Sequence, residues 1–500
     1  MRWTLEEVAR ALGVALPAGL NPMARVAGVS IDSRTVRPGE LFLAVRGPRH
    51  DGHDFVDAVL AASAPAAIVA VDRRNSYTEK IRPRLIAVDD TLRALQQLGA
   101  SVLRQWRTQA PGRLVGAVAG SVGKTTTKEI LAALLAARFS VLKSTGNLNN
   151  EYGLPLTLFG LEESHGAVVV ELGMSRRGEL ARLTQIAAPD VGVITRIAVE
   201  HLEFFQSVDE IALAERELIE NLPRERAGPG GDAGKNAVSV LNADDERVVR
   251  FADVVPGKVI WFGSGATADF RAENIEDRGI TGAAFDLVSP EGRARLDLPL
   301  IGRHNVMNAI AALAAASVWG IGIAEAKKVF PSLQPTDKRG EVVRFADGFT
   351  VINDTYNSSP TALDALSDLL AGSGGHRRRI LAAGEMLELG ASSPKLHRES
   401  GRHAAATRGI DWIVGVRGDA AEIVTGAIAA GLPKERTRFF ESSRDAAEFF
   451  VNFLQPGDLL LLKGSRGVKM EAILEALRAR YAVKGSPSPN PAEPAGTGRR

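Results

Sequence analysis

A chain of 500 residues is too long for one hydrophobic core and calls for about three domains. With 45% hydrophobic residues, 24% charged residues and a formal net charge of +2, it has a soluble globular balance and lacks the basic excess of a nucleic-acid binder; Arg377-Arg378-Arg379 is short enough for a solvated loop. No cysteine is present, which excludes disulfides and thiolate chemistry, and no run reaches the ~18 apolar residues of a membrane span or shows signal-peptide order, so a cytoplasmic protein without membrane insertion is expected.

Residues 1–108 alternate short apolar runs (41–45, 67–71, 85–88) with helical patterns (55–62, 91–106), which predicts a small N-terminal α/β domain. Its loops carry Ser30-Ile-Asp-Ser33-Arg34 and Asp51-Gly-His53-Asp54. Clustered Ser, Arg, His and Asp can hold an anionic, sugar-rich ligand or serve only as turn residues, and these residues alone leave both open.

Residues 109–334 read as a central, mostly parallel sheet with helices on both faces. An apolar run at 114–118 leads into Gly120-Ser121-Val122-Gly123-Lys124-Thr125-Thr126, and Ile130, Leu131, Leu134 and Leu135 then recur at helical spacing. A glycine turn between strand and helix lets backbone amides approach phosphate oxygens; the helix N-terminus and Lys124 add positive charge, and Thr125 offers a hydroxyl to Mg²⁺. The strict G-x-x-x-x-G-K-[ST] pattern would put glycine at Val118, so the match is to a shorter G-x-x-G-K-T-T loop that predicts a triphosphate site.

Downstream come the polar loop Thr145-Gly-Asn147-Leu-Asn149-Asn150 and the apolar run ending in Glu171, a carboxylate placed to hold Mg²⁺ beside the phosphate loop. The 191–194 run leads to His201, and the following helix carries Ala214-Glu215-Arg216-Glu217. Residues 224–235 suggest a mobile surface loop. The 302–308 stretch opens an apolar helix, where Asn305 and Asn308 are able to read a nucleotide base.

From 335 to 483 the alternation restarts, predicting a C-terminal Rossmann-like domain without its own phosphate loop. Its strand ends carry Asn353-Asp354-Thr-Tyr356-Asn357, Glu385-Met-Leu-Glu388-Leu-Gly390 with His397, and Lys463-Gly-Ser465-Arg466, and these clusters should face one cleft. The proline-rich tail 484–500 is expected to be disordered.

Taken together, the short phosphate loop, Thr145–Asn150 with Gly153 and Pro155, Glu171, His201 and the Gly302/His304/Asn305/Asn308 cluster resemble the Mur ligases, ATP-dependent amide-forming enzymes of peptidoglycan precursor synthesis. The pairing of the first-domain loops with the three third-domain clusters is similar to the members that join D-alanyl-D-alanine to a UDP-N-acetylmuramoyl-tripeptide. The resemblance implies ATP and Mg²⁺ as cofactors and an acyl phosphate as intermediate. It further implies Lys124, Glu171 and His201 as catalytic residues, with Glu215 expected to join them in place of a family lysine, and Thr125, Glu171 and His201 as metal ligands. Gly120 to Thr126, Asn305, Asn308, Arg339 and Asp354 would hold the nucleotide. Ser33, Arg34, Asp51, His53, Asn147, Asn149, Asn150, Tyr356, Asn357, Lys463, Ser465 and Arg466 would hold the UDP-linked tripeptide and D-alanyl-D-alanine. Three covalently linked domains can build such a site within one chain, so a monomer is expected.

One departure stands out. Where the family has Ala-Lys-x-Glu, with a lysine carbamylated by CO₂, this chain has Ala214-Glu215-Arg216-Glu217, and Glu215 is expected to stand in for the carbamate through a bridging water. Glu385 replaces a more usual Asp and keeps its charge. The enzyme adding the third peptide residue typically carries Asp-Asn-Pro, which is absent here, and the first-domain loops argue against a folylpolyglutamate-type ligase. A nucleotide-binding regulator that lost catalysis with the lysine is the alternative of another class. Diaminopimelate and lysine both stay open as the tripeptide's third residue.

Overall fold

The computed structural model of the chain describes residues 3–47, 50–62, 64–224 and 237–484. The loop and tail expected at 224–235 and 484–500 fall, but for residues 224 and 484, outside the described residues.

Three larger sheets follow one another along the chain. In the first, Gly28–Ser30, Glu40–Leu43, Ala67–Ala70 and Leu85–Val88 pair in parallel, and a two-stranded piece joins Trp3–Thr4 to Arg25–Val26. The long helix Thr91–Gln109 closes this part. Asp90 caps it by accepting from the Arg93 amide at 3.0 Å, and Leu95, Leu98, Val102 and Trp106 recur on its buried face. That face packs into a core shared with the second sheet, through Val115, Val170 and Leu183, and Gly99 lies close enough to Pro155 that a Cβ there would meet its Cα at 2.9 Å.

The second sheet has nine strands in the order Gly292–Leu298, Ala283–Ser289, Phe270–Asp277, Lys258–Gly263, Val238–Asn242, Val191–Ile194, Leu114–Ala119, His165–Glu171, Ser140–Lys143. From Leu114–Ala119 the chain first builds one side of the sheet and then crosses to the other at Val191–Ile194. The ends of these two strands therefore bound the crevice where ligands of such sheets bind. Strands 270–298 form an antiparallel ribbon that the expected parallel alternation did not include.

The third sheet is Glu341–Arg344, Thr350–Asp354, Asp458–Lys463, Arg378–Gly384, Trp412–Val416 and Thr437–Phe440, parallel except for its first pair. The basic run at 377–379 is not a solvated loop. Arg378 and Arg379 begin a strand, and Arg378 pairs with the fully buried Asp458. The third sheet's core takes in Ile301, with Val199 and Ile280 packed against it, so the second and third units meet through side chains of both.

Candidate active site

The phosphate loop leaves Leu114–Ala119 and enters the helix Lys124–Leu135, with Gly120 at φ 117° and Gly123 at φ 93°. A Cβ on Gly120 would overlap Thr195 Oγ1, and one on Gly123 would overlap Asn308 Oδ1. The loop is tied to the neighbouring strand end: Ser121 N donates to Arg196 O at 2.8 Å and Thr195 Oγ1 to Val122 O at 2.7 Å. Lys124 Nζ lies on the carbonyls of Gly120 and Ser121 (3.1 Å to the latter) and 3.7 Å from Glu200 Oε1. Burial opposes its charge, yet the carboxylates of Glu200, Glu215 and Glu171 raise its pKa above the ordinary lysine value.

On the other side, Thr125 Oγ1 donates to Glu171 Oε2 at 2.8 Å and Asn149 Nδ2 to Glu171 Oε1 at 2.9 Å. Lys128, 1% exposed, lies beneath, 2.7 Å from Ser144 O and 3.9 Å from Glu171 Oε2. Asn308 Nδ2 donates to Asn305 Oδ1 at 3.0 Å, and Asn305 to Ile301 O at 2.8 Å, inside the helix Arg303–Ala316. Asn150 caps the turn into Gly153–Phe159 through the Tyr152 and Gly153 amides, whereas Asn147 and Thr126 make no hydrogen bond with their side chains among the described residues.

Glu215 sits on the helix Val208–Glu220, 1% exposed, and its Oε2 accepts from Gly120 N at 2.8 Å. The carboxylate thus ends directly on the first amide of the phosphate loop. Burial raises its pKa to about 7 against the pull of Lys124. His201 has a left-handed backbone (φ 53°). Its Nδ1 meets Glu388 Oε2 of the third unit at 2.5 Å and its Nε2 lies 3.8 Å from Glu200 Oε2. Burial works against its protonation, and the Glu388 hydrogen bond and Glu200 charge override that and raise its pKa.

In the third unit Lys463 Nζ donates to Asp354 Oδ1 at 2.8 Å and Asn357 O at 3.0 Å, and Ser465 Oγ accepts from Leu387 N at 2.9 Å. The Tyr356 ring carries two guanidiniums, Arg339 at 4.2 Å and Arg466 at 5.4 Å. The Arg339 charge weakly opposes protonation of Lys124. The first-unit residues stand apart. Arg34 pairs with Asp32 at the surface beside Ser33, and Asp51 binds His53 Nδ1 while His53 Nε2 accepts from Ala70 N at 2.9 Å. His53 is 2% exposed with both ring nitrogens engaged, so it organises its turn and does not face a ligand as expected. Glu200, Lys128 and the Glu388 contact were missed; Glu200 precedes His201 in the loop after Val191–Ile194, and nothing local in the sequence signals its place beside Lys124.

The chain matches the Mur ligase family catalytic domain over residues 25–102, the Mur ligase middle domain over 118–316 and the Mur ligase glutamate ligase domain over 338–466. A UDP-N-acetylmuramoyl-tripeptide–D-alanyl-D-alanine ligase of Bacillus subtilis (strain 168) is 34% identical over 90% of this chain and 93% of its own. A crystal structure of MurF from Acinetobacter baumannii superposes with a TM-score of 0.84 at 30% identity, covering 96% of this chain and 99% of that one. The MurF ligase of Thermotoga maritima, solved with ADP, gives 0.75 at 27% identity over 91% and 97%.

Proposed function

The chain belongs to the Mur ligase family, and on that premise we propose that it joins D-alanyl-D-alanine to UDP-N-acetylmuramoyl-tripeptide at the expense of ATP, in the cytoplasmic assembly of peptidoglycan precursors. The observation that carries the reaction type is the Thr125–Glu171 pair at a strand end beside Lys124 and the phosphate-loop amides.

In this reaction the tripeptide's terminal carboxylate takes the terminal phosphoryl group of ATP, and the amine of D-alanyl-D-alanine attacks the acyl phosphate, releasing phosphate. Two anions must first be brought together, so the chain has to supply positive charge. Lys124 leaves its loop carbonyls for the phosphates, the loop amides bind phosphate oxygens, and Ser121 Oγ, buried without a partner among the described residues, is a donor free to join them. Arg339, whose buried Nε also lacks a partner, approaches from the cleft's other side. Glu171 and Thr125, one carboxylate and one hydroxyl, would hold Mg²⁺ beside the phosphates, and His201 would help hold a second ion. When bound, the ion neutralises phosphate charge. Among the described residues no three His, Asp or Glu side chains form a metal cage by themselves, in keeping with Mg²⁺ bound through substrate phosphates. Asn305 and Asn308 brace the loop's base and Asp354, held by Lys463, offers a carboxylate to the ribose. Closure of the third unit keeps water from the acyl phosphate.

Glu215 stands where the family's modified lysine does and fixes Gly120 with its carboxylate, without a CO₂-derived group. Phosphate release from Mg-ATP with UDP-linked tripeptide, with and without D-alanyl-D-alanine, tests the function. Release requiring both substrates and yielding the UDP-linked pentapeptide is expected; ATP binding without release would favour the regulator.

A further inference from the structure

Residues 199–204 of the middle unit and 385–390 of the third unit meet at three points. His201 Nδ1 contacts Glu388 Oε2 at 2.5 Å, Glu203 N donates to Glu388 O at 3.0 Å, and Gly390 lies so close that a Cβ would meet Glu203 Cα at 3.2 Å. His201 and Glu388 both hold left-handed backbones, φ 53° and 65°, which side-chain-bearing residues adopt only when their surroundings impose it. From His201 the charges continue inward: Nε2 lies 3.8 Å from Glu200 Oε2, and Glu200 Oε1 lies 3.7 Å from Lys124 Nζ. Residues 187 positions apart thus complete one line of side chains from the third unit to the phosphate-loop lysine.

We propose that Glu388 is a cross-domain positioning residue: its carboxylate accepts from His201 Nδ1 and turns Nε2 toward Glu200 and Lys124, so that the middle-domain half of the site is fully aligned only when the third domain is docked. An imidazole with one nitrogen committed to a carboxylate has its ring orientation fixed, and the other nitrogen is thereby aimed. Because the acceptor comes from a different domain, docking and alignment are one event, and each stabilises the other.

The inference rests on the proposed reaction only for its kinetic arm. The chain has no cysteine, so cysteines at the exposed positions Lys258 and Lys395, one in each domain, give a single spin-label pair between the middle and third domains. In that background E388A is expected to broaden the distance distribution. In the otherwise unmodified enzyme it should lower kcat by at least about tenfold while KM for ATP moves by less than about threefold. E388Q, whose amide oxygen still accepts from Nδ1, should keep the narrow distribution and a kcat within about threefold of the parent. A parent-like distribution in E388A, a smaller kcat loss, or an E388Q variant as impaired as E388A overturns the proposal. If the parent turns nothing over, the reaction is what fails, and the distance distribution alone supports or overturns the role of Glu388.

Discussion

Gly123 holds φ at 93° with Asn308 Oδ1 where a Cβ would go, so G123A has to move either the loop or the asparagine. Its kcat/KM for ATP, followed by phosphate release, is expected to fall by about 100-fold, the cost of displacing reacting groups by about an ångström. Glu215 gives a second test. Turnover should be equal in CO₂-depleted and bicarbonate-supplemented buffer, whereas E215Q, which keeps an acceptor for Gly120 N but loses the charge, should lower kcat by about tenfold; a large bicarbonate rescue of the parent would sink the assignment. Residues that chain neighbours define were legible in sequence: the phosphate loop, Glu171 and His201 all follow apolar runs. Glu388's partner was not, because nothing local records a contact spanning 187 positions. His53 was read with its loop as ligand-facing because sequence gives residue type and not the Ala70 amide that occupies its ring.

Among the elements, the helix Ser393–Ala406 braces the Glu385–Gly390 loop through one buried imidazole. His397 Nδ1 donates to Ser393 O at 2.7 Å, and Nε2 accepts from Met386 N at 2.8 Å, an arrangement that requires the neutral ring. Burial lowers its pKa below the ordinary 6.5. Below that ordinary value the unfolded chain binds a proton that the folded one refuses, so this residue's contribution is fully present above it and is lost as pH falls. Thermal unfolding of H397Q between pH 7 and pH 5 should accordingly fall less steeply than that of the parent. Parallel strands ending in polar loops were readable from their apolar runs. The ribbon 270–298 escaped although Ala294, Leu296 and Leu298 alternate with Arg293, Arg295 and Asp297, the period of a strand with one wet face. An expectation of parallel strands separated by helices has no place for three successive ones.

At the scale of the whole molecule, the first and second sheets share a core, so calorimetry should show them unfolding in one transition. Arg107, near the end of the long helix, is part of the fastening. It pairs with the 2%-exposed Asp190 at 3.1 Å and donates to Ala188 O at 2.6 Å. R107M should cost about 2 kcal/mol in urea unfolding, less than a fully buried pair because the guanidinium is partly wet. The same helix sets where the molecule can be divided. The matched first family domain stops at residue 102, in the middle of Thr91–Gln109. A cut there would sever the helix between Leu98 and Trp106 and expose apolar surface on both fragments, so the first unit is not a detachable module. Exchanging it between relatives would require carrying the helix along, together with whatever it touches in the middle unit, and divergence of the two units is thereby tied together.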